Sequence, residues 1–287
     1  MSRNSRRTSA NPPTPQAPAP PRGLPTQNNE NPFGISFVVP TEVVSLPTKG
    51  KFYDKDSSLY GCETLEIKHL TAKEEDLLAN QSFMEDGTIF DRLLSAILID
   101  RSVNVSELVE TDKNALLIAS RITGYGSEYP MRMPCQACNK ITEFVFDLEK
   151  REIEDSIPEG VSFEEDTGLF VFVLPKTELE AKVRILNGND LQYLDKQQRK
   201  AEELGLDHNA SISLFRMAVA EVKGISDPSL LNSLFEALPA LDSRKLRSVI
   251  SSVAPRVSTK QSVACGSCEE ESELEVPFTL GFFWPVI

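Results

Sequence analysis

Apolar residues alternate and recur at spacings that divide the chain into short strands and amphipathic helices from Phe33 onward. Phe37, Val38, Val39, Val43, Val44 and Leu46 predict short strands broken at Pro40, and 46–53 predicts a turn with an aromatic landing. Alternation over 64–70 predicts a half-buried strand. Thr71-Ala-Lys-Glu74 has the form of a capping box and opens a helix to about Asn80. Thr88 starts a second helix with Phe90, Leu93, Leu94, Ile97 and Leu98 on one face. Thr111 or Asp112 starts a third, which stops at Gly124. Tyr129, Met131 and Met133 then alternate toward Cys135, and Phe144, Phe146 and Leu148 alternate away from Cys138.

The stretch 149–167 is acidic and reads as loop, and 169–174 with 179–186 reads as a strand pair. Residues 189–253 read as mostly helical. The segments are 190–204 closed by Gly205, 211–222 closed by Gly224, a helix over 230–238 opened by Asp227-Pro228, and 243–253 opened by Asp242. Val263, a second cysteine pair, a strand through Leu274 and Val276, and an aromatic tail complete the chain.

These elements predict an α+β protein: a zinc-ribbon-like pair of knuckles and a small strand region, with a helical subdomain inserted between the knuckles. The expected divisions are a disordered Pro-rich arm (1–32), an N-terminal α+β region (33–128), the first knuckle (129–148), the mostly helical insert (149–256), and the second knuckle with the aromatic tail (257–287). The arm holds eight of the 19 prolines and almost no large apolar residue, so it cannot offset its ordering entropy by burial.

Charge narrows the choice of partner. Arg3, Arg6, Arg7 and Arg22 against Glu30 give the arm +3, leaving −16 on the rest of a chain whose net charge is −13. An acidic body repels nucleic acid and anionic lipid and suits protein partners, though acidity equally serves solubility. No apolar run reaches the ~18 residues of a membrane helix. No apolar segment follows the basic N-terminus, so no secretory signal is expected and the expected compartment is the cytosol.

In that compartment, cysteines favour metal over disulfide. Cys135 and Cys138 form one Cys-x-x-Cys pair, and Cys265 and Cys268 form another. Each turn aims two thiolates at one point, and two turns supply the tetrahedral sulfur set that Zn2+ prefers. Counted from the second cysteine of each pair, Phe144 corresponds to Leu274, Phe146 to Val276 and Leu148 to Phe278. That correspondence predicts two similar hairpins packed face to face across an insertion of 126 residues. The competing readings are two unrelated buried pairs or a redox site, but the latter needs a helix straight after the pair, where strand patterns stand here. Four thiolates close the coordination sphere, so the site reads as structural. Cys62 reads as a small core residue, and His69 and His208 as bystanders. Glu74/Glu75 and Glu164/Glu165 read as solvated surface. No Walker loop, dinucleotide fingerprint, nucleophile elbow or His-Glu-x-x-His is present, so no enzymatic activity, catalytic residue or small-molecule substrate is expected.

Several segments together resemble one family. They are Leu46-Pro-Thr-Lys-Gly-Lys-Phe-Tyr53, Leu70-Thr-Ala-Lys-Glu-Glu-Asp76, Asn114-Ala-Leu-Leu117 leading to Gly124-Tyr-Gly-Ser-Glu-Tyr129, both cysteine pairs, Leu241-Asp-Ser-Arg244 and Phe282-Phe-Trp-Pro285. Their order and content resemble the baseplate hub protein family of T-even-like contractile-tailed bacteriophages, over most of 40–287. The resemblance implies a hub component or hub assembly factor that is not an enzyme, with other tail or baseplate hub proteins as partners. It implies a location in the host cytoplasm during assembly, or the virion tail baseplate for a member that stays in the particle. The competing function is a zinc-ribbon nucleic-acid or transcription accessory adaptor. Against it stands Glu269-Glu-Glu-Ser-Glu273, which would repel phosphate just past the second knuckle. Phe282, Phe283 and Trp284 read either as core of the chain's own body or as an aromatic anchor for a partner.

Overall fold

Strand β1 (Thr41–Ser45) runs antiparallel to β2 (Thr64–Lys68), with Thr41 opposite Lys68 and Ser45 opposite Thr64. The computed structural model describes residues 38–80, 83, 87–205, 209–276 and 280–283. The expectations for 1–32, Phe37, His208, Phe278 and Trp284 lie outside the described residues. Val39–Ile287 falls into one compact unit. Val38 and Val39 carry no strand, so β1 begins beyond Pro40 rather than on both sides of it.

In β2, Leu65 and Ile67 are buried while Glu66 faces out, which is the alternation of a half-buried strand. The turns between the strands close on Gly50, at φ +70°, where a Cβ would lie 2.3 Å from the Cys62 nitrogen and 2.7 Å from the Gly61 nitrogen. Helix α1 (Ala72–Leu78) is capped by Glu74, whose carboxylate accepts from the Thr71 amide at 3.1 Å and from Lys68 Nζ at 2.8 Å. Glu74 is therefore buried, not solvated. Burial raises its pKa, but the donors from Lys68 and Thr71 outweigh that and hold it below the usual range.

Helix α2 (Ile89–Ile97) buries Ile89, Leu93, Leu94 and Ile97, and Leu98 leaves the helix to bridge Ile67. Helix α3 (Glu110–Tyr125) starts before Asp112 and runs through Gly124, with Gly126 at φ +86° as its cap. Neither Thr111 nor Asp112 is the N-cap. Val109 holds that position, and Asp112 is buried.

After the first hairpin, β3 (Glu128–Pro134) and β4 (Ile141–Asp147), the stretch that reads as loop contains two strands. These are β5 (Glu152–Glu154) and β6 (Val161–Glu164). Glu164 pairs with Lys182 at 3.2 Å from within β6. β5 pairs with β10 (Arg256–Ser258), and β6 opens an antiparallel sheet with β7 (Leu169–Val173), β8 (Glu180–Val183) and β9 (Val219–Val222). The insert thus holds more strands than its sequence predicts. The expected helix over 211–222 divides into α5 (Ala210–Ala218) and β9, which places Val222 opposite Ala181 and Val219 opposite Val183.

Helix α4 (Gly188–Glu203) is capped by Asn187, which accepts from the Asp190 amide at 3.1 Å. Helix α6 (Pro228–Ala237) has Asp227 as its cap, accepting from Ser229 and Leu230. Helix α7 (Ala240–Ser252) starts before Asp242, which is buried and accepts from the amides of Lys176 at 2.6 Å and Thr177 at 3.0 Å. Asp242 therefore ties α7 to the β7–β8 turn instead of opening the helix. The second hairpin, β11 (Gln261–Ala264) and β12 (Glu271–Leu274), returns the chain to the first.

Candidate metal centre

Each hairpin ends in a cysteine turn, and the two turns share one geometry. In the first, Pro134 lies opposite Ile141, the Cys135 amide donates to Lys140 O at 2.9 Å, and the Asn139 amide donates to Cys135 O at 2.9 Å. In the second, Ala264 lies opposite Glu271, the Cys265 amide donates to Glu270 O at 2.9 Å, and the Glu269 amide donates to Cys265 O at 2.8 Å. Asn139 and Glu269 both adopt φ of 59°, a left-handed step that turns the chain back under the sulfurs.

The inward faces hold the turns together. Phe144, Phe146 and Leu148 from the first hairpin are buried, as are Leu274 and Val276 from the second. Gln261 joins the hairpins edge to edge: its Oε1 accepts from the Asp147 amide at 3.0 Å and its Nε2 donates to Asp147 O at 2.8 Å. Gln261 carries no metal-ligand or motif signal, so the sequence reading passes over it.

The four sulfurs of Cys135, Cys138, Cys265 and Cys268 all lie within 4.8 Å of one another. Cys135 to Cys268 and Cys138 to Cys265 are each 3.9 Å. A tetrahedral ion with sulfur bonds of ~2.3 Å needs sulfur–sulfur edges of about 3.8 Å. The cluster fits that requirement, whereas a disulfide would need about 2.05 Å. Cys135 and Cys265 are buried, Cys138 is half-buried and Cys268 is exposed.

The sulfurs are also electrostatically coupled. The Ser267 amide donates to Cys265 Sγ at 3.4 Å and is the main cause that holds this thiol down at about 7. For Cys268 the Glu270 amide acts downward, but local desolvation of the sulfur and the three neighbouring thiols together push it up to about 12. One thiolate makes the next harder to form, and a bound dication reverses that penalty.

The remaining candidates fall elsewhere. Cys62 is half-buried against the core, with its thiol 3.0 Å from Thr64 O, and His69 follows β2, outside the sulfur cluster. Phe282 and Phe283 are each 1% exposed. Phe282 stacks on Tyr129 at 5.4 Å and Phe283 on Phe90 at 5.9 Å, while Arg121 Nε donates to Phe282 O at 3.1 Å. The two rings pack into the core of their own chain.

Fold and site define an α+β protein in which two distant hairpins meet at one four-thiol, metal-competent centre. Residues 39–284 match the family model described as T4 bacteriophage base plate protein, and the chain belongs to that family. Comparison with curated proteins and with solved structures returned no match. Membership places the chain in the phage tail baseplate, in a structural or assembly role, and implies contacts with other baseplate components. Among the described residues, no helix is long and apolar enough to cross a membrane.

Proposed function

We propose that this chain is a component or assembly factor of the baseplate hub, acting through protein contacts without catalysis. It is stapled by one structural Zn2+ on Cys135, Cys138, Cys265 and Cys268. The observation that carries the reading is the convergence of four sulfurs within 4.8 Å from two hairpins far apart in sequence. Among thiophilic ions, zinc takes four thiolates in a closed tetrahedron without redox change, leaving no open position for a substrate. Exposed Glu269, Glu270, Glu271 and Glu273 beside the centre support a protein partner over nucleic acid. Assembly takes place in the host cytoplasm, where reduced thiols keep the centre competent.

Elemental analysis of protein purified without chelators is expected to give about one zinc per chain. Absence of any thiophilic metal would reject the staple. Affinity capture from infected cells, read by mass spectrometry, is expected to return hub proteins. Recovery confined to other tail parts would reject the hub assignment while leaving the family intact.

A further inference from the structure

The two hairpins share one fold, yet their outward faces differ. Counted from the second cysteine of each turn, Ile141, Glu143 and Val145 of β4 correspond to Glu271, Glu273 and Glu275. All three glutamates are exposed, as a solvated sheet face requires. Ile141 and Val145 are also exposed, at 76% and 53%. The second hairpin shows that this backbone accepts charge at all three positions, so apolar side chains on the first are not imposed by the fold. Two exposed β-branched residues thus flank a glutamate on a strand face whose counterpart carries glutamate at all three positions.

The pattern of that face points to its occupant. Its cross-strand rungs are Pro130 with Val145, Arg132 with Glu143, and Pro134 with Ile141. A charged rung thus lies between two apolar ones, and Arg132 and Glu143 remain 70% and 56% exposed, 3.9 Å apart. A twofold axis parallel to the strands through the central rung lays each apolar rung on the same rung of the other copy and sets Arg132 of one copy against Glu143 of another. The ladder is complementary to itself in shape and charge. The glutamate face of the second hairpin would instead repel its own copy.

The edge of β3 is closed to the alternative mode of pairing. Cys135 bonds to Lys140, so by alternation Pro130 and Pro134 occupy the non-hydrogen-bonded positions. Their nitrogens face away from β4 and offer no donor to an added strand. Of the outward row 130, 132 and 134 only Arg132 keeps an amide donor, which favours contact face to face over strand addition.

We infer that the outer face of the β3–β4 hairpin is a self-association surface that packs against the same face of a second copy about a twofold axis. A seven-residue hairpin covers about 20 Å by 10 Å, roughly 200 Å² per copy, against the ~800 Å² per partner of a standard interface. The contact is weak in free solution and gains when neighbouring contacts already hold copies together.

Sedimentation equilibrium of the full chain, carried to about 0.5 mM, tests this against a contact of weak affinity. The wild type is expected to rise from monomer toward dimer mass with concentration. Ile141→Glu, which copies the residue of the second hairpin, is expected to weaken association at least ~10-fold while melting and metal content hold. If that variant folds poorly, Arg132→Glu serves in its place: it should weaken association, and Arg132→Glu with Glu143→Arg should restore it. A wild type that stays monomeric throughout would overturn the inference, as would association unchanged in the variants. A monomeric wild type that loses binding to another baseplate protein on Ile141→Glu would reassign the face to that protein, and would equally overturn it.

Discussion

Asp112 is fully buried, yet its carboxylate has three donors: the Thr48 amide at 3.1 Å, the Thr48 hydroxyl and the Tyr53 hydroxyl. Tyr53 in turn accepts from the Val109 amide at 3.1 Å, so one side chain ties the β1–β2 turns to the start of α3. Burial, and then Asp112 itself, push the Tyr53 phenol far up, which keeps it a donor. Asp112→Ala would leave these groups without an acceptor, and each buried orphan costs ~1–3 kcal/mol. Urea denaturation is expected to show a loss of roughly 3–5 kcal/mol. Burial outweighs the donors and raises the Asp112 pKa. With the folded pKa above the unfolded ~3.9, the contribution of this site is full below ~3.9 and declines as pH rises through the folded value. The melting difference between the non-titrating Asp112→Asn variant and the wild type should therefore shift in the variant's favour across that window, then level off. A shift the other way would mean that the donors dominate. Sequence reading offered Thr111 or Asp112 for one helix start and Asp242 for another because such residues near a helix start have a local signal, whereas a partner 64 or 66 residues away has none.

At the scale of elements, Gly50 is fixed by two constraints, its φ of +70° and backbone nitrogens inside the space of a Cβ. Gly61 has φ +68° but nothing within 4 Å of its Cβ position. Gly61→Ala is expected to lose about 1 kcal/mol through its dihedral alone. Gly50→Ala is expected to lose about 2–4 kcal/mol, since rigid backbone must move. Equal losses in chemical denaturation would show that crowding at Gly50 is relieved cheaply. The β9 strand shows a different limit. Phe215, Ala218, Val219 and Val222 are spaced i, i+3, i+4, i+7 and all are buried, so a helical period continues through the point where the helix stops. Pairing with β8 decides between the two, and that pairing is not a local property.

For the whole molecule, the four-thiol centre joins the two ends of the insertion, and the buried side chains from Val44 to Phe283 form a single cluster. With zinc bound as proposed, Cys265→Ser should lower the melting of the whole Val39–Ile287 unit. A loss of ~3 kcal/mol would shift it by roughly 6–12 °C in a domain of this size. Loss of metal with an unchanged melt would make the centre peripheral. The C-terminal turn Leu280–Phe283 makes a second closure, with Phe282 against Tyr129 and Phe283 against Phe90. Phe282→Ala is expected to lose about 3–5 kcal/mol with metal content unchanged. A normal melt in that variant would mean that the aromatic end contributes nothing to the core.

Local chemistry in the sequence determined the cysteine pairs with their flanking alternation, the Asp227-Pro228 helix start and the Glu74 cap. Each depends on atoms within a few residues, so spacing alone encodes it. The tertiary structure decided that two cysteine pairs divided by 126 residues bring their four sulfurs together, that Gln261 joins the hairpins, that 219–222 is a strand, and that Glu74, Asp112, Asp242, Phe282 and Phe283 are inside. Those outcomes follow from which segments pair across long separations, and a residue's own neighbours do not specify that choice.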